Sequence, residues 1–234
     1  MEKRFFADNI DGDIIVLKGE EFEHLSRVLR LKAGDTAECF CDDSDIYACK
    51  IGEVTKNAVF LHIENKYPCD CNPKTRVAVF QALPKGDKLE LITQKLSELG
   101  VSELVLFRSR FTNLKPNIVR TDRLHKIAVG AAKQCGRTSI MKISGPLKFE
   151  QVISQLKNYD TVIFANETEK NTQKMQLKGN IAIVIGSEGG FEASEIKGIV
   201  EAGGVSTSLG KRILRTETAA IALTAIVMHE VDEL

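Results

Sequence analysis

The chain has 234 residues, 43% hydrophobic and 27% charged, with a formal net charge of zero. That composition supports a sizeable buried core in one large domain or two modest ones, and it excludes wholesale disorder. No stretch reaches the roughly 18 apolar residues that cross a bilayer, and Met1–Asp8 holds no apolar run of leader length, so a cytoplasmic protein with no membrane partner is expected.

In chain order, the first third reads as short strands around one helix. Strand patterns cover Asp13–Leu17, Thr36–Cys41, Ile46–Val54 and Ala58–Glu64, and a helix over Glu20–Leu29 gathers Phe22, Leu25, Val28 and Leu29 on one face. Short strands between turn residues predict a small β-barrel. Pro68, Asp70, Asn72 and Pro73 then form a linker. Six cysteines (Cys39, Cys41, Cys49, Cys69, Cys71 and Cys135) read as reduced, small buried side chains. The two Cys-x-Cys pairs lack the spacing of common zinc knuckles and no histidine stands nearby, so no metal is expected.

After the linker the rhythm changes to alternating strands and helices. Strands are expected at Arg76–Leu83, Ser102–Phe107, Ser139–Ile143, Thr161–Ala165, Ile181–Ile185 and Val205–Leu209. Helices are expected at Asp87–Leu99, Asp122–Cys135, Phe149–Leu156, Ala193–Ala202 and Thr216–Val231. This alternation predicts an α/β domain with a mostly parallel sheet. The last helix is apolar nearly all round, from Ala219 to Val227, so it must be covered on several sides, and a partner subunit is expected to supply part of that cover.

Charge is unevenly spread. Residues 1–72 carry 9 Lys/Arg against 15 Asp/Glu, and residues 73–234 carry 23 against 17. Within the second part, residues 104–142 hold nine basic residues (Arg108, Arg110, Lys115, Arg120, Arg123, Lys126, Lys133, Arg137 and Lys142) against one acid, Asp122. Such a block is either a solvated face or a phosphate-binding surface.

Ligands of open α/β sheets bind beyond the carboxyl ends of strands, where three loops carry unusual residues. These are Phe164–Glu167, Ile185–Phe191 and Leu209–Ala220. Gly186, Gly189 and Gly190 permit close backbone approach to a ligand, although a tight strand-to-helix turn would use them too. The spacing is neither the dinucleotide fingerprint nor a P-loop. In the third loop Thr216 or Thr218 can cap the helix and Glu217 suits its dipole. Capping leaves Lys211, Arg212 and Arg215 unexplained, and these cations point to an anionic ligand or to developing negative charge.

These loops identify a resemblance. Gly186–Phe191, the run Leu209-Gly210-Lys211-Arg212-Ile213-Leu214-Arg215-Thr216-Glu217-Thr218-Ala219-Ala220 and the helix after it resemble the SPOUT methyltransferases. The match is nearest to the bacterial family that methylates N3 of a uridine in 16S ribosomal RNA. Arg4-Phe5-Phe6, His24–Asp35, Lys85-Gly86-Asp87 with Lys95 and Glu98–Gly100, and Gln134–Arg137 extend the likeness over nearly the whole chain. Ser187 stands where the family commonly has proline, and Cys135 where serine is usual.

The resemblance implies a PUA-like RNA-binding β-barrel over 1–72 and a SPOUT methyltransferase α/β domain over 73–234, with a C-terminal trefoil knot at about 160–234, a topology few folds adopt. It implies S-adenosyl-L-methionine among the three loops, held by Ala165, Asn166, Glu167, Ile185, Gly186, Ser187, Glu188, Gly189, Gly190, Leu209, Gly210, Ile213, Leu214, Thr216, Thr218 and Ala219. It implies a homodimer and a small-ribosomal-subunit partner. Arg215 is the expected stabiliser of the uracil anion, with Glu217 or Glu188 as proton acceptor or positioning group and Arg4 reaching the same site. RNA contacts are expected from Arg4, His24, Arg27, Arg30, Lys85, Arg108, Arg110, Lys133, Gln134, Arg137 and Arg212. The rival readings are a SPOUT enzyme acting on transfer RNA or a ribose 2′-hydroxyl, and a non-catalytic RNA-binding assembly factor.

Overall fold

Alternating apolar residues build the first sheet of the computed structural model, which describes residues 4–112, 119–167, 169 and 176–234. Its strands are β1 (Arg4–Phe6), β2 (Ile10–Asp11), β3 (Ile14–Lys18), β4 (Thr36–Phe40), β5 (Asp45–Val54) and β6 (Ala58–Pro68). They lie in the order β1-β4-β5-β6-β3-β2, a half-barrel whose edges are β1 and β2. Phe5, Ile15, Leu17, Leu25, Ile51 and Leu61 fill its interior, each at most 1% exposed.

The expected helix over Glu20–Leu29 forms in two pieces. Helix α1 (Gly19–Glu23) continues as a wider-wound turn over His24–Val28, where Leu29 N–H reaches back five residues to the His24 carbonyl at 3.0 Å. The added residue in that turn leaves Val28 outward, 68% exposed, while Leu25 stays buried.

The second sheet has the order β12-β10-β11-β7-β8-β9, and every pairing in it is parallel. Its strands are β7 (Val77–Ala82), β8 (Glu103–Arg108), β9 (Lys142–Lys148), β10 (Thr161–Ala165), β11 (Ile181–Ile185) and β12 (Gly204–Thr207). β7 and β11 are buried at every position, as strands covered on both faces must be. Helices α2 (Lys88–Glu98), α3 (Thr121–Cys135), α4 (Phe149–Leu156), α5 (Ala193–Glu201) and α6 (Thr216–Glu230) complete this part, and α6 packs on β7, β11 and α2.

By contacts the chain divides into one unit of Met1–Asn72 with Ala132–Ile140, and another of Pro73–Ala131 with Met141–Leu234. No local sequence pattern marks Ala132–Ile140 as part of the first unit. The strand expected at Ser139–Ile143 forms instead at Lys142–Lys148, because side-chain acceptors capture the preceding amides. Asn72 Oδ1 accepts the N–H groups of Thr138 and Ser139, both at 3.0 Å, and Asp42 Oδ1 accepts that of Ile140 at 2.6 Å.

Asn72 is therefore a tie rather than a spacer. It also receives the Ser139 hydroxyl at 3.0 Å and donates to Thr138 Oγ1 at 2.7 Å. Asn72→Ala is expected to destabilise the protein by about 1–3 kcal/mol, the range for orphaned half-buried amides, while Asn72→Asp, which keeps the acceptor, loses less. Urea denaturation measures both.

Candidate functional site

Because β10, β11 and β12 are parallel and in register, they deliver their loops to one edge of the sheet. Ala165 stands beside Thr207, and Phe164 beside Val184. The chain order reverses between β7 and β11, the crevice position at which such sheets bind ligands. The three loops enclose a cavity of about 290 Å³.

Of the residues expected around a cofactor, Ala165, Asn166, Glu167, Ile185, Gly186, Ser187, Glu188, Gly190, Leu209, Gly210, Ile213, Leu214, Thr216 and Ala219 line this cavity. Gly189 and Thr218 do not. Phe191, Ile196, Ser208, Lys211, Arg212 and Arg215 line it as well. Phe191 ends the glycine loop and Ile196 follows it by five residues, and apolar side chains there read equally well as core.

Two buried hydroxyl contacts fix the loops. Thr216 Oγ1 donates to the Gly186 carbonyl at 2.7 Å and accepts from Gln81 Nε2 at 3.0 Å. Thr216 is thus spent on the glycine loop and not on capping: the N-cap position of α6 is Arg215, which makes no side-chain cap bond. Gln81, at the end of β7, was invisible to sequence reasoning because a glutamine in an apolar strand carries no motif. Within the loop, Gly190 N–H bonds the Ser187 carbonyl at 3.0 Å, and Gly190 has φ +68, a conformation that glycine adopts without strain. A Cβ at Gly190 would stand 3.3 Å from Glu167 Oε1. Asn166 anchors the first loop through its N–H to the Thr207 carbonyl at 3.0 Å and its amide to Ser206 Oγ at 3.1 Å.

Lys88, which has no motif to announce it, organises the acids. From the first turn of α2 its Nζ lies 2.7 Å from Glu188 Oε1 and 3.5 Å from Glu217 Oε2. Glu188 also accepts the Lys85 N–H at 2.9 Å. Burial alone would raise the Glu188 carboxyl, but the Lys88 and backbone hydrogen bonds outweigh it and hold the group below its usual range. Lys88 is raised in turn, chiefly by its bond to Glu188. Glu217 Oε2 is buried, and its ion pair with Lys88 is longer than that of Glu188.

The cations expected on RNA divide into committed and exposed. Arg4 bonds Glu38 through Nε (3.1 Å) and Nη2 (2.8 Å) and the Gly136 carbonyl through Nη1 (2.6 Å). Lys133 is paired with Glu21 at 2.7 Å and lies over the Phe5 ring, and His24 packs against that ring from 5.6 Å. Arg137 is 3% exposed. Arg27 pairs with Glu23 at its surface, Arg123 pairs with Glu90, and Lys115 lies outside the described residues. Arg30, Lys85, Arg110, Arg120, Arg212 and Arg215 are exposed, as is the uncharged Gln134, and Arg108 is half-buried. The basic block is therefore not one continuous stripe: interior packing takes up part of it. Among the described residues no cluster of His, Cys, Asp or Glu has a metal-binding arrangement, and no helix is long and apolar enough to cross a membrane.

Comparison with known proteins agrees with this geometry. The model of the RNA methyltransferase domain matches residues 71–228, and that of the RNA methyltransferase PUA domain matches residues 17–64. The chain is 31% identical to the ribosomal RNA small subunit methyltransferase E of Bacillus subtilis, over 90% of this chain and 88% of that one. It is 30% identical to the Mesomycoplasma hyopneumoniae protein of the same name, over 94% and 96% of the two chains. A Legionella pneumophila methyltransferase structure in complex with the bound cofactor SAM superposes with a TM-score of 0.88 at 27% identity, covering 98% of each chain. With its PUA half-barrel, its parallel α/β sheet and this full-length similarity, the chain belongs to the ribosomal RNA small subunit methyltransferase E family of RNA methyltransferases.

Proposed function

We propose that the protein methylates N3 of a specific uridine in 16S ribosomal RNA of the small subunit, using S-adenosyl-L-methionine. The observation that carries this reading is the cavity itself, a small-molecule cleft whose rim bears Lys211, Arg212 and Arg215. Its residues suit the cofactor. Ile196, Leu209, Leu214 and Ala219 offer apolar walls, glycine and loop backbone offer polar edges, and Gly190 leaves open the space beside the Glu167 carboxylate that a side chain would crowd. When bound, S-adenosyl-L-methionine supplies a methyl group activated by its sulfonium. The trefoil knot over about 160–234 belongs to the same reading, as do a cytoplasmic location and the lack of a metal requirement.

The chain's own task is to make the uracil nitrogen nucleophilic. Loss of its proton spreads charge onto the flanking carbonyl oxygens, which a planar guanidinium stabilises by paired donation. Arg215 is exposed at the N-cap of α6, where a cation works against the helix dipole, so its placement is better explained by an anionic ligand than by stability. Between the two carboxylates, Glu188 is already engaged by Lys88 and the Lys85 amide and is a weak base. Glu217 is paired with the same Lys88, at 3.5 Å, and does not line the cavity, whereas Glu188 does, so the two together are proposed as proton acceptor and positioning group. The commitment of Arg4 to Glu38 and Gly136 supports a structural part for it within the first unit.

The homodimer is part of the proposal. α6 buries Ala220, Leu223, Thr224, Val227 and Met228 in its own subunit but leaves Ile226 41% exposed and Ala222 and Ala225 half-covered. A second subunit would remove that apolar face from water.

Arg215→Ala should lower single-turnover methylation by roughly a hundredfold at saturating RNA, with little change in cofactor affinity by calorimetry, and Arg215→Lys should rescue poorly. A near-normal rate would remove Arg215 from the chemistry. Nucleoside mass spectrometry of the product separates N3-methyluridine from a ribose-methylated or transfer-RNA product, and a protein without cofactor binding would be an assembly factor.

Lys88→Met should raise the Glu188 midpoint, read by carboxyl-detected NMR, since burial is then opposed only by the backbone hydrogen bonds. Because the folded value is depressed, this pair's stabilisation is present at neutral pH and fades as pH falls through the lowered Glu188 value. The variant should lose part of that acid-side dependence, the share due to Lys88.

Ala222→Glu should give monomer or insoluble protein, because an unpaired charge would be buried at the proposed interface. Light scattering that finds a soluble dimer would count against that face.

A further inference from the structure

Beyond β8 the chain makes a tight turn over Ser109–Thr112 that is held on both sides. Ser109 N–H bonds Thr112 Oγ1, and Thr112 N–H bonds the Ser109 carbonyl, each at 3.0 Å. Ser109 Oγ contacts Ser187 Oγ of the glycine loop at 3.3 Å, and Arg110 N–H donates to Glu195 Oε1 at 2.9 Å. Glu195 is only 5% exposed, so this is a built anchor and not a surface encounter.

A turn so fixed nevertheless presents Phe111 at 44% exposure, and among the described residues it is the single phenylalanine in that state. Its ring lies against Gly189. A Cβ at Gly189 would come within 3.0 Å of Phe111 Cβ and 3.1 Å of Cγ. Gly189 has no positive φ and does not line the cavity, so the approach of this aromatic is what requires a glycine there. Its neighbours Ser187, Glu188 and Gly190 do line the cavity. Arg110, the residue before Phe111, is exposed, and Lys85, whose N–H is bonded to Glu188, is exposed on the other segment that meets this loop.

A rigid, half-exposed ring among cations beside a reaction cleft has the composition of a nucleobase platform. Aromatic faces stack any base, and guanidinium and ammonium groups hold the phosphates that flank it. We propose that Phe111 stacks an unpaired base of the RNA adjacent to the modified uridine, with Arg110 and Lys85 on the neighbouring phosphates. This rests on the reading of the cavity as an RNA methylation site and adds how the strand is held there. A target base must leave its stack to be reached, and a platform one loop away would hold its neighbour while it does.

The chain has no tryptophan, so Phe111→Trp installs a single indole as reporter. With small-subunit ribosomal RNA purified from a strain lacking this gene, the indole emission should be quenched as the RNA binds, and inorganic polyphosphate at equal charge should leave it unchanged. Phe111→Ala should weaken RNA binding roughly tenfold, Phe111→Trp should restore it, and Phe111→Leu should not. RNA affinity unchanged in Phe111→Ala, rescue by leucine, or tight RNA binding without quenching would each overturn the platform and leave Phe111 as an apolar brace for the glycine loop. Methylation by the wild-type protein is measured in parallel. If it proceeds while the Phe111 variants behave as wild type, only the platform fails. Its absence would sink the functional reading itself.

Discussion

The Thr216 hydroxyl sits where the end of β7, the glycine loop and the start of α6 meet, and the cavity depends on its two hydrogen bonds. Gln81 donates to it and it donates to the Gly186 carbonyl, all within the interior. Such bonds are costly to leave unmade, so the start of α6 is tied to the end of β7 and to the glycine loop, which the pairing of Ile185 with Gln81 already holds side by side. Arg215 then falls at the rim as a consequence of chain connectivity, one residue before the buried anchor. Glu217 falls one residue after it, turned toward Lys88. A single interior hydroxyl thereby sets the positions of the cation and of one of the two carboxylates to which the chemistry is assigned.

Much of the fold was legible because periodicity and burial agree. β10, β11 and α4 begin and end where the pattern of apolar residues places them. The fully buried strand β11 reads as a continuous apolar run, and β7 as one broken only by Gln81, which is the mark of a parallel sheet. Legibility failed where side chains outbid the backbone. Thr138–Ile140 has the composition of a strand, yet Asn72 and Asp42 take its amides and the strand starts later. Three-residue β1 and two-residue β2 are too short for any alternation to register.

The site was legible through its motif and not through its charges. Glycines and the arginine-rich run locate the cavity, but neither Lys88 nor Gln81 belongs to a recognisable pattern, and both act across long stretches of sequence. The basic block illustrates the converse difficulty. Counting cations cannot reveal that Arg137 is interior or that Lys133 is spent on Glu21, more than a hundred residues earlier in the chain. Charge in a sequence is a total, whereas binding depends on the part that packing leaves free.

The strand order has a consequence for how the protein comes into being. β11 lies between β10 and β7, pairing Ile181–Val184 with one and Ile181–Ile185 with the other. Its pairing with β7 joins residues about a hundred positions apart, a loop closure whose entropy must be met before any contact repays it. During synthesis β7, β8 and β9 emerge first and present an unpaired edge along β7 until the middle strand arrives. The nascent chain therefore passes through a stage with half a sheet and no cavity. A chain that ends between β9 and β11 keeps that bare β7 edge, and one that ends before α6 lacks the Thr216 and Ala219 side of the cavity.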